Sequence, residues 1–157
     1  MKPIREKHHR LPAECYCGHV AVAFTLCLKD RLTGLTELPI FDKLEKVLIE
    51  ELPRGTCEAH VYLMMPDHCH LLLEGADDNS NILDIMKRFK QRTGYWFAQS
   101  GSGLQWQKDF YDHVLRKDDD ARKHIEYILQ NPVRKELTQD WLEYQFKGST
   151  LYDSSQW

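Results

Sequence analysis

Residues 57–75 read CEAHVYLMMPDHCHLLLEG. Two apolar runs flank Pro66-Asp67, a pair suited to a turn, because proline presets φ and aspartate tolerates turn positions. The spacing predicts a hairpin, with one strand over 57–65 and the next over 68–75. Side chains alternate faces along a strand. His68 and His70 therefore share one face at the turn end of the second strand, while Cys69, Leu71 and Leu73 share the other. Two neutral imidazoles so placed can hold one metal ion. A packed or surface pair of histidines has the same spacing.

Working outward, residues 18–30 (GHVAVAFTLCLKD) are rich in valine, phenylalanine and threonine and read as a first strand. Residues 36–52 carry Ile40, Leu44, Val47 and Leu48 at helical spacing. After the hairpin, Asn79 or Ser80 is the expected cap of a long helix, with Ile82, Ile85, Met86 and Phe89 on its buried face and SGSG at 100–103 ending it. DFYDHVLR, 109–116, reads as a fourth strand. A helix follows from the acidic run at 118–120, where the helix dipole favours negative charge, and Pro132 is expected to stop it. The resulting order is strand, helix, strand, strand, helix, strand, helix. Its first six elements fit an α+β, ferredoxin-like (RRM-like) β-α-β-β-α-β core, an antiparallel sheet with its helices on one face. The chain reads as one domain over 1–157, with the core at about 16–135 and an irregular C-terminal extension over 136–157.

Composition limits the function classes. The chain has 157 residues, 42% of them hydrophobic, enough for a core. No apolar run approaches a membrane span and the basic start MKPIREKHHR lacks a leader's apolar stretch, so a cytoplasmic location is expected. Five cysteines in that setting argue against a disulfide framework. Cys15, Cys17 and His19 lie close together, but structural zinc uses a second pair that is missing here. The net charge of −3 weighs against a large nonspecific nucleic-acid surface. Basic residues nevertheless cluster: Lys87, Arg88, Lys90 and Arg92 on the long helix, and Arg116 and Arg134 around the last one. Such stripes can follow a phosphate backbone, or can simply be solvated.

The other half of a site lies in HIEYILQNP, 124–132. Tyr127 and Asn131 are one turn apart on one helix face. Taken singly, Tyr127 reads as a core-edge aromatic and Asn131 as a helix terminator. Taken with the histidines, they supply two metal ligands, a third oxygen ligand and a nucleophile on facing elements.

YLMMPDHCHLLLEG, 62–75, resembles the signature of the HUH single-tyrosine transposases, in which two histidines flank one usually hydrophobic residue. WQKDFYDHVLRKDDDARKHIEYILQNPVRKEL, 106–137, resembles the REP-associated tyrosine transposases, whose members carry a similar WQ, YDHV and YI..NPV series. The resemblance spans about residues 10–150. It implies that Tyr127 is the nucleophile and that Asn131 joins His68 and His70 around a divalent ion, Mg²⁺ or Mn²⁺. The implied activity is endonucleolytic cleavage and transfer of single-stranded DNA at hairpin repeats, through a 5′-phosphotyrosine link, by a monomer or homodimer. His124 is a candidate base, and Tyr111 and His113 are competing candidates on the fourth strand. Tyr16 and Trp106 are candidate stacking platforms for bases, and the N-terminal REKHHR is a candidate groove-binding arm. Two other classes fit parts of the pattern: a domesticated, non-catalytic single-strand hairpin-binding module, and a metal protein built on the Cys15/Cys17/His19 cluster.

Overall fold

The computed structural model describes residues 10–117 and 119–153. In chain order the elements are β1 (Ala21–Cys27), α1 (Leu38–Arg54), β2 (Cys57–Met64), β3 (His68–Gly75), α2 (Ile82–Ser100), β4 (Tyr111–Val114), α3 (Ala121–Leu129), α4 (Asn131–Arg134) and β5 (Lys147–Gly148). One antiparallel sheet runs in the order β4-β1-β3-β2-β5. Its first four strands have the ferredoxin-like arrangement expected from the sequence.

Alternation along β3 divides the molecule. Cys69, Leu71 and Leu73 join Val22, Phe24 and Leu26 of β1 against α1 and α2, forming the larger core. Helix α1 contributes Leu44, Val47 and Leu48, and α2 contributes Ile85, Met86 and Phe89, all essentially inaccessible to water. Leu72, one step out of phase, faces the opposite side. There a smaller core gathers Val61, Leu63, Ile128, Leu129 and Tyr144. Helix α3 therefore packs on the sheet face that α1 and α2 leave open. This face also carries His68 and His70.

Local chemistry fixes the ends of the elements. Pro39 lies in the first turn of α1, where its missing N–H breaks no helical bond. Asn81, rather than Asn79 or Ser80, caps α2 by accepting the Asp84 N–H at 3.1 Å. Ser80 is buried instead. Its hydroxyl accepts from the N–H groups of Ala76 and Asp77 and donates to the Thr56 carbonyl at 2.6 Å, tying two turns together. Gly101 closes α2 with φ of +73°, a conformation that favours glycine. Pro132 does not end the last helix outright. The chain bends at Gln130, and Pro132 enters the first turn of the short α4.

The C-terminal extension is more ordered than expected. Gly148 and Lys147 pair with Tyr62 and Leu63, adding β5 to the edge of the sheet. The Tyr144 hydroxyl donates to the Met64 carbonyl at 2.5 Å, and Phe146 meets Phe41 edge-on at 5.5 Å. A Cβ at position 148 would collide with the Tyr62 ring, so the close approach of β5 to that ring relies on glycine.

Two buried carboxylates hold the layers together. Glu51 of α1 is buried and faces Arg88 and Arg92 of α2 at 3.1 and 2.9 Å. Asp112 of β4 pairs with Arg10 and accepts the Tyr16 hydroxyl at 3.1 Å. The Arg10 guanidinium also lies 4.2 Å above the Phe110 ring. Asp112→Ala leaves a largely buried guanidinium and a buried hydroxyl without their acceptor. Urea unfolding should show a loss of about 3 kcal/mol, and Asp112→Asn, which keeps an acceptor, a smaller one.

Candidate active site

The sheet face opposite α1 and α2 presents a cross-strand row of Tyr111, Thr25, His70 and Leu63. The His68 and His70 rings stand nearly perpendicular, with centroids 4.9 Å apart. Each has a partner for one ring nitrogen. His68 Nδ1 meets Asp67 Oδ1 at 2.6 Å, and His70 Nδ1 meets Thr25 Oγ1 at 3.1 Å. Partners of this kind fix the ring orientation and leave Nε2 as the atom available to a ligand. Burial, helped by His68 and Arg134, pushes the His70 pKa down to about 3, so this ring is neutral and its lone pair is available.

Asn131 completes the cluster. It is buried at the start of α4, and its side-chain amide reaches His70 Nε2 at 2.5 Å. An amide can turn either its nitrogen or its oxygen to such a position. Facing oxygen inward, it joins two imidazole nitrogens as a neutral N₂O donor set. Ligand bonds of roughly 2.0–2.2 Å require the His70–Asn131 contact to open by about half an ångström. The residues therefore fit a divalent ion. The chemistry such an ion supplies when bound is polarisation of a phosphate oxygen.

The bend at Gln130 does not separate Tyr127 from Asn131. The Gln130 N–H still bonds the Glu126 carbonyl at 3.0 Å, and the Arg134 N–H bonds the Gln130 carbonyl at 2.9 Å. Tyr127 thus stands one turn before Asn131, with 65% of its surface exposed. Its ring contacts Arg134 rather than the histidines. The Arg134 guanidinium lies 4.0 Å from the ring centroid and donates to the Tyr127 carbonyl at 2.7 Å.

The expected basic stripe on α2 is divided. Arg88 and Arg92 are engaged with Glu51, and Arg92 also reaches Glu50 at 2.6 Å. Lys87 and Lys90 instead line a cleft of about 500 Å³ beside the edge strand β4, together with Arg10, Trp106 and Phe110. Arg116 is exposed in the loop between β4 and α3. Tyr16 is wholly buried and bonded to Asp112, so it offers no stacking face. Trp106 lines the cleft but is only 9% exposed, and it donates its indole N–H to Thr93 at 2.8 Å. The expected N-terminal arm lies outside the described residues except for Arg10. Cys15, Cys17 and His19 do not converge as metal ligands: Cys17 Sγ meets the Ala13 carbonyl, and His19 pairs with Asp78 at 3.6 Å.

Sequence reasoning missed Thr25 and Asp67 as supports of the histidines. Asp67 adjoins His68 and was within reach of such a reading. Thr25 becomes legible only once the register of β1 on β3 is known.

The family profile described as "Transposase IS200 like" matches residues 18–131. The chain belongs to that transposase family. Within it, the similarity runs to REP-associated tyrosine transposases. A Haemophilus influenzae protein assigned to that group is 27% identical over 137 residues, covering 75% of this chain and 74% of its own. The Escherichia coli K12 REP-associated tyrosine transposase is 30% identical over 115 residues, covering 71% of this chain and 65% of its own. The solved structure of a REP-associated tyrosine transposase bound to a REP hairpin superposes with a TM-score of 0.73 at 21% identity, covering 91% of this chain and 82% of that one. A Deinococcus radiodurans protein assigned as a transposase gives 0.51 at 23% identity, covering 83% and 97%. The family resemblance read from the sequence is borne out, as is the fold. Among the described residues no helix is long and apolar enough to cross a membrane.

Thr25→Val removes the hydroxyl beside His70 Nδ1 and keeps the side-chain shape. Titration calorimetry should then show Mn²⁺ binding weakened by about tenfold or more, with the thermal unfolding midpoint little changed.

Proposed function

We propose that this transposase cuts and rejoins single-stranded DNA beside hairpin repeats, with Tyr127 as nucleophile and with His68, His70 and Asn131 holding a divalent ion, Mg²⁺ or Mn²⁺. The observation that carries this reading is the His70–Asn131 contact, which joins the two sequence motifs into one donor set. The hairpin substrate is carried over from the relative that was solved with a REP hairpin.

The chain's own residues divide the work. The Tyr127 phenolate oxygen attacks phosphorus, the bond from phosphorus to the 3′-oxygen breaks, and the departing 3′-oxygen takes up a proton. The product is a 5′-phosphotyrosine, which conserves the phosphodiester for rejoining. A phenol has a pKa of about 10 and must lose its proton to react. Tyr127 is exposed, so that proton can leave to solvent. The Arg134 guanidinium against the ring holds the ring's position. Asn131 is neutral, so the donor set adds no negative charge beside the phosphate. Lys87, Lys90, Arg116 and Arg134 supply phosphate contacts. Arg88 and Arg92 serve the α1–α2 clamp first.

A hairpin-binding module that does not cut would need the basic cleft but neither the His68–His70–Asn131 cluster nor an exposed tyrosine next to it. Both are present in this chain.

The test uses end-labelled single strands carrying the hairpin repeats that flank the gene, with Mn²⁺, resolved by denaturing electrophoresis. The wild-type chain should trap label with protein. Tyr127→Phe should bind the hairpin normally and trap none. Tyr111→Phe should still trap, which matters because Tyr111 is on the same sheet face and 46% exposed. Trapping that survives in Tyr127→Phe and vanishes in Tyr111→Phe overturns the assignment of the nucleophile. Absence of trapping in the wild-type chain supports the binding module instead.

Binding should also weaken with salt. Each phosphate contact contributes a slope of about −0.7 to the logarithmic salt dependence on single strands. Lys87→Ala should reduce the slope by about that amount. Arg92→Ala should leave the slope nearly unchanged and lower the unfolding midpoint.

A further inference from the structure

The geometry points to a second metal site, formed by His113, Asp119 and His124, which takes a transition-metal dication of the zinc class and clamps the start of α3 onto β4. The three side chains come from three segments: His113 from β4, Asp119 from the loop after it, and His124 from α3. One ligand atom from each lies within 4.8 Å of the other two, and among the described residues this is the set of three His, Cys, Asp or Glu side chains that converges so. His113 Nε2 is 3.8 Å from Asp119 Oδ2. The two imidazoles lie face to face, with centroids 5.8 Å apart and planes inclined by 26°.

Two imidazoles with one carboxylate form a mixed N/O donor set that suits zinc and its neighbours better than magnesium. The carboxylate also argues against an alternative in which the paired histidines receive a DNA phosphate, since Asp119 would repel it. In a four-coordinate site with bonds near 2.0–2.1 Å, ligand atoms stand roughly 3.3 Å apart. The ligand atoms must therefore draw together by roughly 0.5–1.5 Å, within reach of side-chain rotation for partly exposed residues. Asp119 is oriented for this. Its Oδ2 accepts the Arg116 N–H at 2.7 Å, and its own N–H bonds the Arg116 carbonyl at 2.9 Å. Such outer partners hold a ligating carboxylate in place.

The site is separate from the His68–His70–Asn131 cluster. His113 pairs with Ala23, which pairs in turn with Leu72, so it lies two strands away from the hairpin histidines on the same sheet face. Its position suggests a positioning role. His124 is one turn before Tyr127, so an ion tying His124 to β4 would restrain the helix that carries the exposed tyrosine.

The experiment is a zinc titration by calorimetry of the full chain in a His68→Ala/His70→Ala background, which removes the other cluster. This makes the result independent of the proposed catalytic reading. One equivalent of Zn²⁺ should bind. Adding His113→Ala or His124→Ala should weaken it by at least about tenfold, with circular dichroism checking that the fold is kept. Hydrogen exchange supplies a second readout: zinc should slow the amides of residues 123–125 in the background variant, and Asp119→Asn should abolish the slowing. The proposal is overturned if the background variant binds no zinc, if its zinc affinity is unchanged by loss of either histidine, or if zinc leaves exchange in α3 unaltered.

Discussion

The contact between His70 and Asn131 joins a strand to a helix across the sheet face that α1 and α2 leave uncovered. It depends on three independent constraints. Alternation along β3 sends His68 and His70 to that face, because Cys69, Leu71 and Leu73 belong to the main core. Ile128 and Leu129 seat α3 on Val61, Leu63 and Leu72. The bend at Gln130 then turns Asn131 inward, where it is buried against the imidazole. A small apolar cluster thus sets the depth at which Asn131 meets His70, and Tyr127 remains one turn away at the surface.

The electrostatics follow the same division. The main core closes over one edge with a buried carboxylate, Glu51, that engages two arginines of α2. Charges that read in the sequence as a DNA-facing stripe are thereby shared between structure and surface. With a net charge of −3, attraction to DNA has to be local rather than global. The cleft lined by Lys87 and Lys90 beside β4 is a place where it can be local.

Much of this was legible in the sequence because period-two and period-3.6 patterns report burial directly. The hairpin at 57–75, the two long helices and the order of elements along the ferredoxin-like core follow from such patterns. So does the common face of His68 and His70. What could not be read depends on tertiary partners. Ser80 looks like a cap until the turn at Thr56 is seen to need its hydroxyl. Tyr16 looks like a stacking platform until the buried Asp112 claims it. The tail at 136–153 lacks periodicity, yet β2 offers an open edge and Gly148 can approach Tyr62 closely enough to use it. Arg88 and Arg92 look like their lysine neighbours, and only the position of Glu51 separates them.

The central claim is that Tyr127, and no other tyrosine of the chain, carries the DNA. Tandem mass spectrometry reads this directly. The wild-type protein is reacted with a hairpin-bearing single strand and Mn²⁺, the DNA is digested to the linked nucleotide, and the tryptic peptides are sequenced. The account predicts a nucleotide mass on Tyr127 alone. The same mass on Tyr111, or on any residue other than Tyr127, would contradict it.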